Sequence, residues 1–211
     1  MKNSQGIILI LIVIAALVGG AFLLSTPSSN EGSGTTSPGA LGAAVDSKVL
    51  NNDSAPVVGN KDAKVKLVVF SDYLCPYCKS AHSVINDALA SYPDASMQFR
   101  NLIVHEDSRI LAQAAEAANL QGKYKEMNDA LYSQTVQSNE DSVVALAKSL
   151  GLDITKFKSD LNSDQVKNRI SQDEKDATAL QVSGTPSLFI NNQAIDNYTQ
   201  LGDLVKKALG K

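Results

Sequence analysis

Between Lys66 and Val104 the chain reads as strand, helix, strand, and this unit restricts the fold more than any other stretch. Lys66-Leu-Val-Val-Phe70 is a short continuous apolar run, β-branched and aromatic, of the kind buried on both faces of a sheet. The spacing of Val84, Ile85, Ala88 and Leu89 predicts a helix from about Pro76 to Ser91, ended by Pro93 and Asp94. Ser96 to Val104 reads as the next strand. A helix of this length between two strands predicts a right-handed crossover into a parallel sheet.

Cys75 and Cys78 are the only cysteines in 211 residues, and they fall where the first of these strands hands over to the helix. A loop this short closes too small a ring to restrain much of the unfolded chain, so reactivity explains the pair better than bracing does. The absence of any other cysteine fits an oxidising compartment. Cys75 sits at a helix N-terminus, where unpaired N–H groups and the macrodipole favour a thiolate, and it is expected to be the nucleophile. Cys78, one turn further in, is expected to be less exposed and to attack a mixed disulfide formed at Cys75. Pro76 pre-sets φ at the first helical position and loses no useful donor. Tyr77 is expected to affect potential and contacts. A static disulfide and a share in a zinc site are the competing readings. Tetrahedral zinc needs two more ligands, and His82 and His105 are the only histidines. His82, four residues after Cys78, lies on the same helix face and is a candidate for tuning a thiolate. A surface or boundary position is its plainer reading. His105, at a strand end, reads as a junction residue. The Lys and Asp residues between Asp160 and Asp176 read as a solvated helix face.

Around this unit the pattern continues in order. Ala55 to Val58 reads as a short edge strand. Beyond Val104, about 75 residues read as helical, a length suited to a subdomain. Ile110, Leu111, Ala114, Ala115 and Ala118 form one stripe, and Met127, Ala130 and Leu131 mark a second helix. Ser138 with Asp141 resembles a capping box ahead of Val143, Val144, Ala147 and Leu150. Gly151 is a natural stop, and Asp153 and Ser163 are expected to cap two more helices. Ser183-Gly-Thr-Pro186 then breaks the pattern. Ser187 to Ile190 reads as a strand, Asn191-Asn192 as a tight turn and Gln193 to Ile195 as the antiparallel return. A last helix uses Leu201, Leu204, Val205 and Ala208.

The N-terminus has a different texture. Gly6 to Leu24 is an unbroken apolar run with no charge. As a helix it measures ~28 Å, enough to cross a hydrocarbon core of about 30 Å. Lys2 precedes it and no Lys or Arg follows until Lys48, so residues 1–5 are expected on the cytoplasmic side and the rest outside. A cleaved signal peptide is the rival, but the run exceeds the usual core of roughly 7–15 residues. Either way the domain is exported. Residues 25–54 have the Ser, Thr, Gly and Pro content of a flexible linker, spanning roughly 30 Å root-mean-square. Residues 55–211 suit one domain, whose core must be built from Val, Ile, Leu and Ala because the chain has no Trp and few aromatics. The net charge of -3 argues against a general nucleic-acid binder.

Removing the five helices leaves βαβ followed by ββα, with a CxxC at the first helix start and a Thr-Pro before the hairpin. This is the thioredoxin arrangement. Three separated segments then resemble the DsbA/BdbD-type thioredoxin-fold oxidoreductases: Phe70-Ser-Asp-Tyr-Leu-Cys-Pro-Tyr-Cys78, Ala114 to Ala118 with Gln121 to Leu131, and Val182 to Asn191. The resemblance covers about residues 55 to 210. It implies an α/β thioredoxin-like fold with an all-helical domain, about 106–181, inserted between the third and fourth strands. It implies an exported, membrane-anchored thiol–disulfide oxidoreductase that donates disulfides to reduced or unfolded exported proteins. Its redox-active Cys75-Cys78 disulfide would serve without further cofactor or metal. A membrane partner of the DsbB or vitamin-K-epoxide-reductase-like type would re-oxidise it. The resemblance also implies a cis Pro186 that sets Thr185 opposite Cys75, where the Thr185 backbone pairs with an extended substrate segment. Many members carry a buried acid six positions before the first cysteine. Here that position is Val69, and Asp72, nearer the motif, is the candidate to substitute. A reductase or isomerase on the same scaffold, and a non-catalytic binding module with a structural disulfide, stay open. The Pro-Tyr pair also occurs in glutaredoxins, but the export signal and the inserted helices argue against that chemistry.

Overall fold

The computed structural model describes residues 41–211. Its centre is a sheet of β1 (Leu41–Ala44), β2 (Val57–Gly59), β3 (Val65–Ser71), β4 (Ala95–Asn101), β5 (Ser187–Ile190) and β6 (Gln193–Ile195), in the order β1-β6-β5-β3-β4-β2. β3 lies inside it, parallel to β4 and antiparallel to β5. This explains the unbroken apolar run. Leu67 and Val69 enter one core with Cys78, Ile85 and Ala88, whereas Val68 and Phe70 enter another with Leu50, Ala177 and Phe189. A strand covered on both faces loses polar alternation.

The helices are α1 (Ser47–Leu50), α2 (Pro76–Ser91), α3 (Arg109–Asn119), α4 (Tyr124–Ser133), α5 (Glu140–Ser149), α6 (Ile154–Leu161), α7 (Asp164–Ala179) and α8 (Leu201–Ala208). α2 crosses from β3 to the parallel β4 and packs against α8. α3 to α7 form the helical insertion, between β4 and β5. α3 is its axis and touches the other four. Ala112, Ala114, Ala115, Ala117 and Ala118 are all buried, because only small side chains let so many helices approach one. At the hairpin tip Asn191 and Asn192 have φ of 45° and 70°, as a two-residue turn of the primed kind requires. Asp153 and Ser163 accept from the backbone N–H of Lys156 and Val166 and so cap α6 and α7.

Several sequence expectations need correction. The linker expected over 25–54 does not hold for residues 41–54. Leu41–Ala44 pairs antiparallel with β6, Asp46 caps α1, and Leu50 is 1% exposed. Leu-Gly-Ala-Ala carries no β-branched signal, and an edge strand is held by its backbone alone. Residues 6–24 and 25–40, where the anchor and the start of the linker were expected, lie outside the described residues. Among the described residues no helix is long and apolar enough to cross a membrane. α5 is capped by Asn139, whose side chain accepts from Ser142 N at 2.9 Å, in place of Ser138. β4 ends at Asn101 rather than Val104, because the N–H groups of Val104 and His105 turn to the Asp72 carboxylate.

The supposedly solvated face of α7 also proves partly buried. Asp173 is 0% exposed. It accepts from Arg100 and Arg169, and its other oxygen accepts from Asn101 N at 2.9 Å. Arg100 reaches Asp176 as well, donates to the Leu50 carbonyl at 2.6 Å and lies 5.1 Å from the Phe70 ring centroid. Asn101 Nδ2 donates to Glu116 Oε1 at 2.9 Å. These bonds fasten the helical insertion to β4.

Candidate active site

β3 ends at Ser71, and four residues later the chain enters α2 with Cys75 as its N-cap and Pro76 at the first helical position. Cys75 N donates to the Asp72 carbonyl at 3.2 Å and Lys79 N donates to the Cys75 carbonyl at 3.1 Å, so the helix starts directly behind the first cysteine. Both cysteines are free thiols, 6% and 2% exposed. Tyr77 projects outward at 66% exposure, with Leu74 and Val104 also exposed.

The second wall comes from far along the chain. The Thr185-Pro186 peptide is cis. The Cys75 thiol donates to the Thr185 carbonyl at 3.4 Å, so the two segments meet at the Cys75 sulfur. Pro186 lines a small cavity together with Cys78 and His82.

The two thiols differ electrostatically. Burial opposes ionisation of Cys75. Hydrogen bonds from the Thr185 side chain, from the Cys78 backbone and thiol and from the Tyr77 backbone outweigh it, and hold its pKa below that of an ordinary thiol. At Cys78 burial wins. Although the Asp72 backbone and the Thr185 side chain favour its thiolate, its thiol is pushed up to about 12. Cys75 is therefore the better nucleophile and leaving group near neutral pH.

Asp72 does not point its carboxylate at the sulfurs. It is 1% exposed, and Oδ1 accepts from Leu74 N at 2.7 Å. Oδ2 accepts from Val104 N at 2.8 Å, His105 N at 2.9 Å and Ser108 Oγ at 2.8 Å. His105 Nδ1, on an exposed side chain, lies 3.4 Å from Oδ1. Asp72 thus clamps the cysteine loop to the loop that enters the insertion.

His82 is buried, at 8% exposure, and the surface position is corrected. Its ring stacks on Tyr132 at 4.6 Å, and Nε2 lies 2.9 Å from Asp129 Oδ1, both on α4. Burial pulls its pKa below the ordinary histidine value, while Asp129 resists the shift. Lys125 and Asn86 hold the Asp129 carboxylate below its usual range against its own burial. Nearby, Tyr73 Oη donates to Asn128 Oδ1 at 2.8 Å. No role was read from the sequence for Asn128, Asp129 or Tyr132, although the first two lie in the segment Gln121 to Leu131 that carries the resemblance. No local signal identifies them, because their role arises from α4 packing on α2. Among the described residues no group of three or more His, Cys, Asp or Glu is placed to hold a metal ion.

Comparisons with known proteins agree with this geometry. Among solved structures, a thioredoxin-like oxidoreductase from Silicibacter pomeroyi superimposes with a TM-score of 0.70 at 31% identity, covering 79% of this chain and 99% of that one. The thiol-disulfide exchange protein alpha-DsbA2 from Wolbachia pipientis gives 0.70 at 26% identity, covering 77% and 90%. Oxidised BdbD from Bacillus subtilis gives 0.64 at 25% identity, covering 74% and 91%. A curated relative, the Na(+)/H(+) antiporter NhaA 3 of Salinispora tropica, is 33% identical over 147 residues, 68% of this chain. The chain spans only about a fifth of such antiporters, 22% of that one. A family model described as thioredoxin matches residues 51–207. With that match across most of its length, and with DsbA-like and BdbD structures as neighbours, the chain belongs to the thioredoxin family.

Proposed function

We propose that this chain is an extracytoplasmic thiol–disulfide oxidoreductase that donates the Cys75-Cys78 disulfide to reduced exported proteins. The observation that carries the reading is the contrast between the two thiols, one favoured as thiolate and one suppressed, at a helix start facing Thr185. A substrate thiolate attacks Cys75 Sγ, and the Cys75–Cys78 bond breaks with its electron pair going to Cys78. A second substrate thiolate then attacks the mixed disulfide and expels Cys75. Two electrons pass from substrate to enzyme. A stabilised Cys75 thiolate favours this direction, because it leaves readily and lowers the energy of the reduced enzyme. Exposed Leu74 and Tyr77 flanking Cys75, with exposed Val104 on the loop that Asp72 holds, suit an unfolded substrate, and the Thr185 backbone suits pairing with its extended chain.

The apolar run at residues 6–24 supports a single-pass membrane location with this domain outside. A membrane partner of the DsbB or vitamin-K-epoxide-reductase-like type would then return the pair to the disulfide.

Oxidative refolding of a reduced substrate, insulin reduction and the potential of the pair test this. The expected results are a potential nearer ~-120 mV than ~-270 mV, and loss of oxidative refolding in Cys75→Ser. A potential near ~-270 mV with insulin reduction would make the protein a reductase. Unchanged activities in Cys75→Ser would leave a binding module.

A further inference from the structure

Behind the cysteine pair lies a cavity of about 10 Å3, room for one water molecule. Cys78, His82, Tyr132, Val69 and Pro186 are among its walls. Two polar atoms of this wall set, His82 Nδ1 and Tyr132 Oη, are buried and have no hydrogen-bond partner. Their residues are 8% and 3% exposed. An unpartnered buried imidazole nitrogen is costly, so its survival beside a reactive thiol calls for a use.

The tautomer of His82 is set from its other side. Asp129 Oδ1 lies 2.9 Å from Nε2, and a carboxylate only accepts, so the proton resides on Nε2 and Nδ1 keeps its lone pair. Asn86 Nδ2, 3.1 Å from Nε2, donates to the same carboxylate oxygen at 3.3 Å. The charged groups that bear on the ring, Asp129 and Lys125, both belong to α4. Val69 and Ser71 of β3 and Phe99 of β4 line the cavity from the sheet side, and α4 adds the Tyr132 hydroxyl. Val69 offers no acid or base from the sheet side.

We infer that His82 is the proton acceptor for Cys78, across this cavity, whenever the Cys75–Cys78 disulfide forms from a mixed disulfide. This rests on the dithiol–disulfide reading above. In the starting state Cys75 Sγ is bonded to a partner sulfur and Cys78 is a thiol. The Cys78 proton passes through one water to His82 Nδ1. The Cys78 thiolate attacks Cys75 Sγ, the Cys75–Cys78 bond forms, and the bond to the partner breaks with its electron pair leaving on the partner sulfur. The cysteine pair is oxidised and the partner reduced. The imidazolium, held by Asp129, passes its proton on to solvent. The reverse step protonates Cys78 as it leaves. The need is plain, since burial pushes the Cys78 thiol up to about 12 and leaves little thiolate at neutral pH. The same burial keeps His82 neutral and able to accept there.

The test uses the full reduced chain mixed with excess oxidised glutathione, followed by acid quench and mass spectrometry. Formation of the Cys75–glutathione species depends on glutathione concentration. Its resolution by Cys78 does not. His82→Phe is expected to slow resolution at pH 7 by about 100-fold or more while formation stays within about twofold. The deficit should shrink as pH rises. The wild-type resolution rate should rise through a midpoint below the ordinary histidine value of about 6.5. Asp129→Asn, a near-isosteric change at a half-buried position, should slow resolution about tenfold and move that midpoint lower. Resolution within twofold of wild type in both variants overturns the assignment, as does a deficit that is constant across pH. A wild-type chain that forms no glutathione adduct overturns the dithiol reading itself.

Discussion

Replacing Asp72 with alanine removes the acceptor of four hydrogen bonds at once. The carboxylate holds Leu74 N, Val104 N, His105 N and Ser108 Oγ, all within 2.7–2.9 Å. A hydrogen bond to a charged group contributes roughly 1.5–3 kcal/mol, but donors that regain water recover part of that. Three of the four donors are only partly buried, so about 1 kcal/mol for each bond is a fair count, or about 4 kcal/mol in all. Asparagine keeps the oxygen that serves Val104, His105 and Ser108, and turns an amide N–H toward the Leu74 N–H. Its cost should be about half, ~2 kcal/mol. At ~2–4 °C per kcal/mol for a domain of this size, alanine lowers Tm by roughly 8–16 °C and asparagine by half as much. Urea denaturation of the reduced proteins, followed by circular dichroism at equal m, measures both. An alanine variant within about 1 kcal/mol of wild type, or an asparagine variant less stable than the alanine one, refutes the clamp.

Two further outcomes follow from the polar network on β4. Asp173→Ala leaves the buried Arg100 and Arg169 without their shared carboxylate and should cost ~3–5 kcal/mol, while Arg100→Met combined with Asp173→Leu should recover the share owed to Arg100. Urea midpoints decide this, and a double variant no better than the single one contradicts it. Glu116 supplies a pH dependence. Burial, with the Asp173 charge, raises its carboxyl to about 7 against the opposing pull of Arg169. The folded state therefore favours the protonated acid. Its contribution is full below the unfolded value near 4.5 and is lost as pH rises through about 7. Glu116→Gln, which can still accept from Asn101, should lose less stability between pH 5 and pH 8 than wild type does. Equal losses in urea midpoint would count against it.

What could be read in advance was governed by near neighbours. β3 announced itself because a strand covered on both faces must be apolar throughout. The stops and caps at Gly151, Asp153 and Ser163 were legible because each bonds within its own turn. Gly151 takes a φ of 75°, which L side chains rarely adopt. β1 was hidden, since an edge strand of small residues needs only a backbone partner, and that partner, β6, lies at the opposite end of the chain. Arg100 and Asp173 were hidden for a similar reason. Each looks like a surface residue until the insertion folds back over β4. His82 could be placed on the Cys78 face of α2, but whether that face was covered depended on α4.

The order of the elements from β2 onward, the cysteine pair at the start of α2 and the break at Ser183–Pro186 were thus determined by the sequence itself, through propensities and spacings that act over a few residues. The tertiary structure alone decided what those cysteines meet. Thr185, 110 positions from Cys75, touches its sulfur. Asp72 is committed to the backbone of the loop beyond β4, and His82 is enclosed with Cys78 under Tyr132. The difference in pKa between the two thiols has both sources. The bonds to Cys75 from the Tyr77 and Cys78 backbones lie within the CxxC at its helix start, whereas the Thr185 side chain and the burial of Cys78 come from elements packed over it.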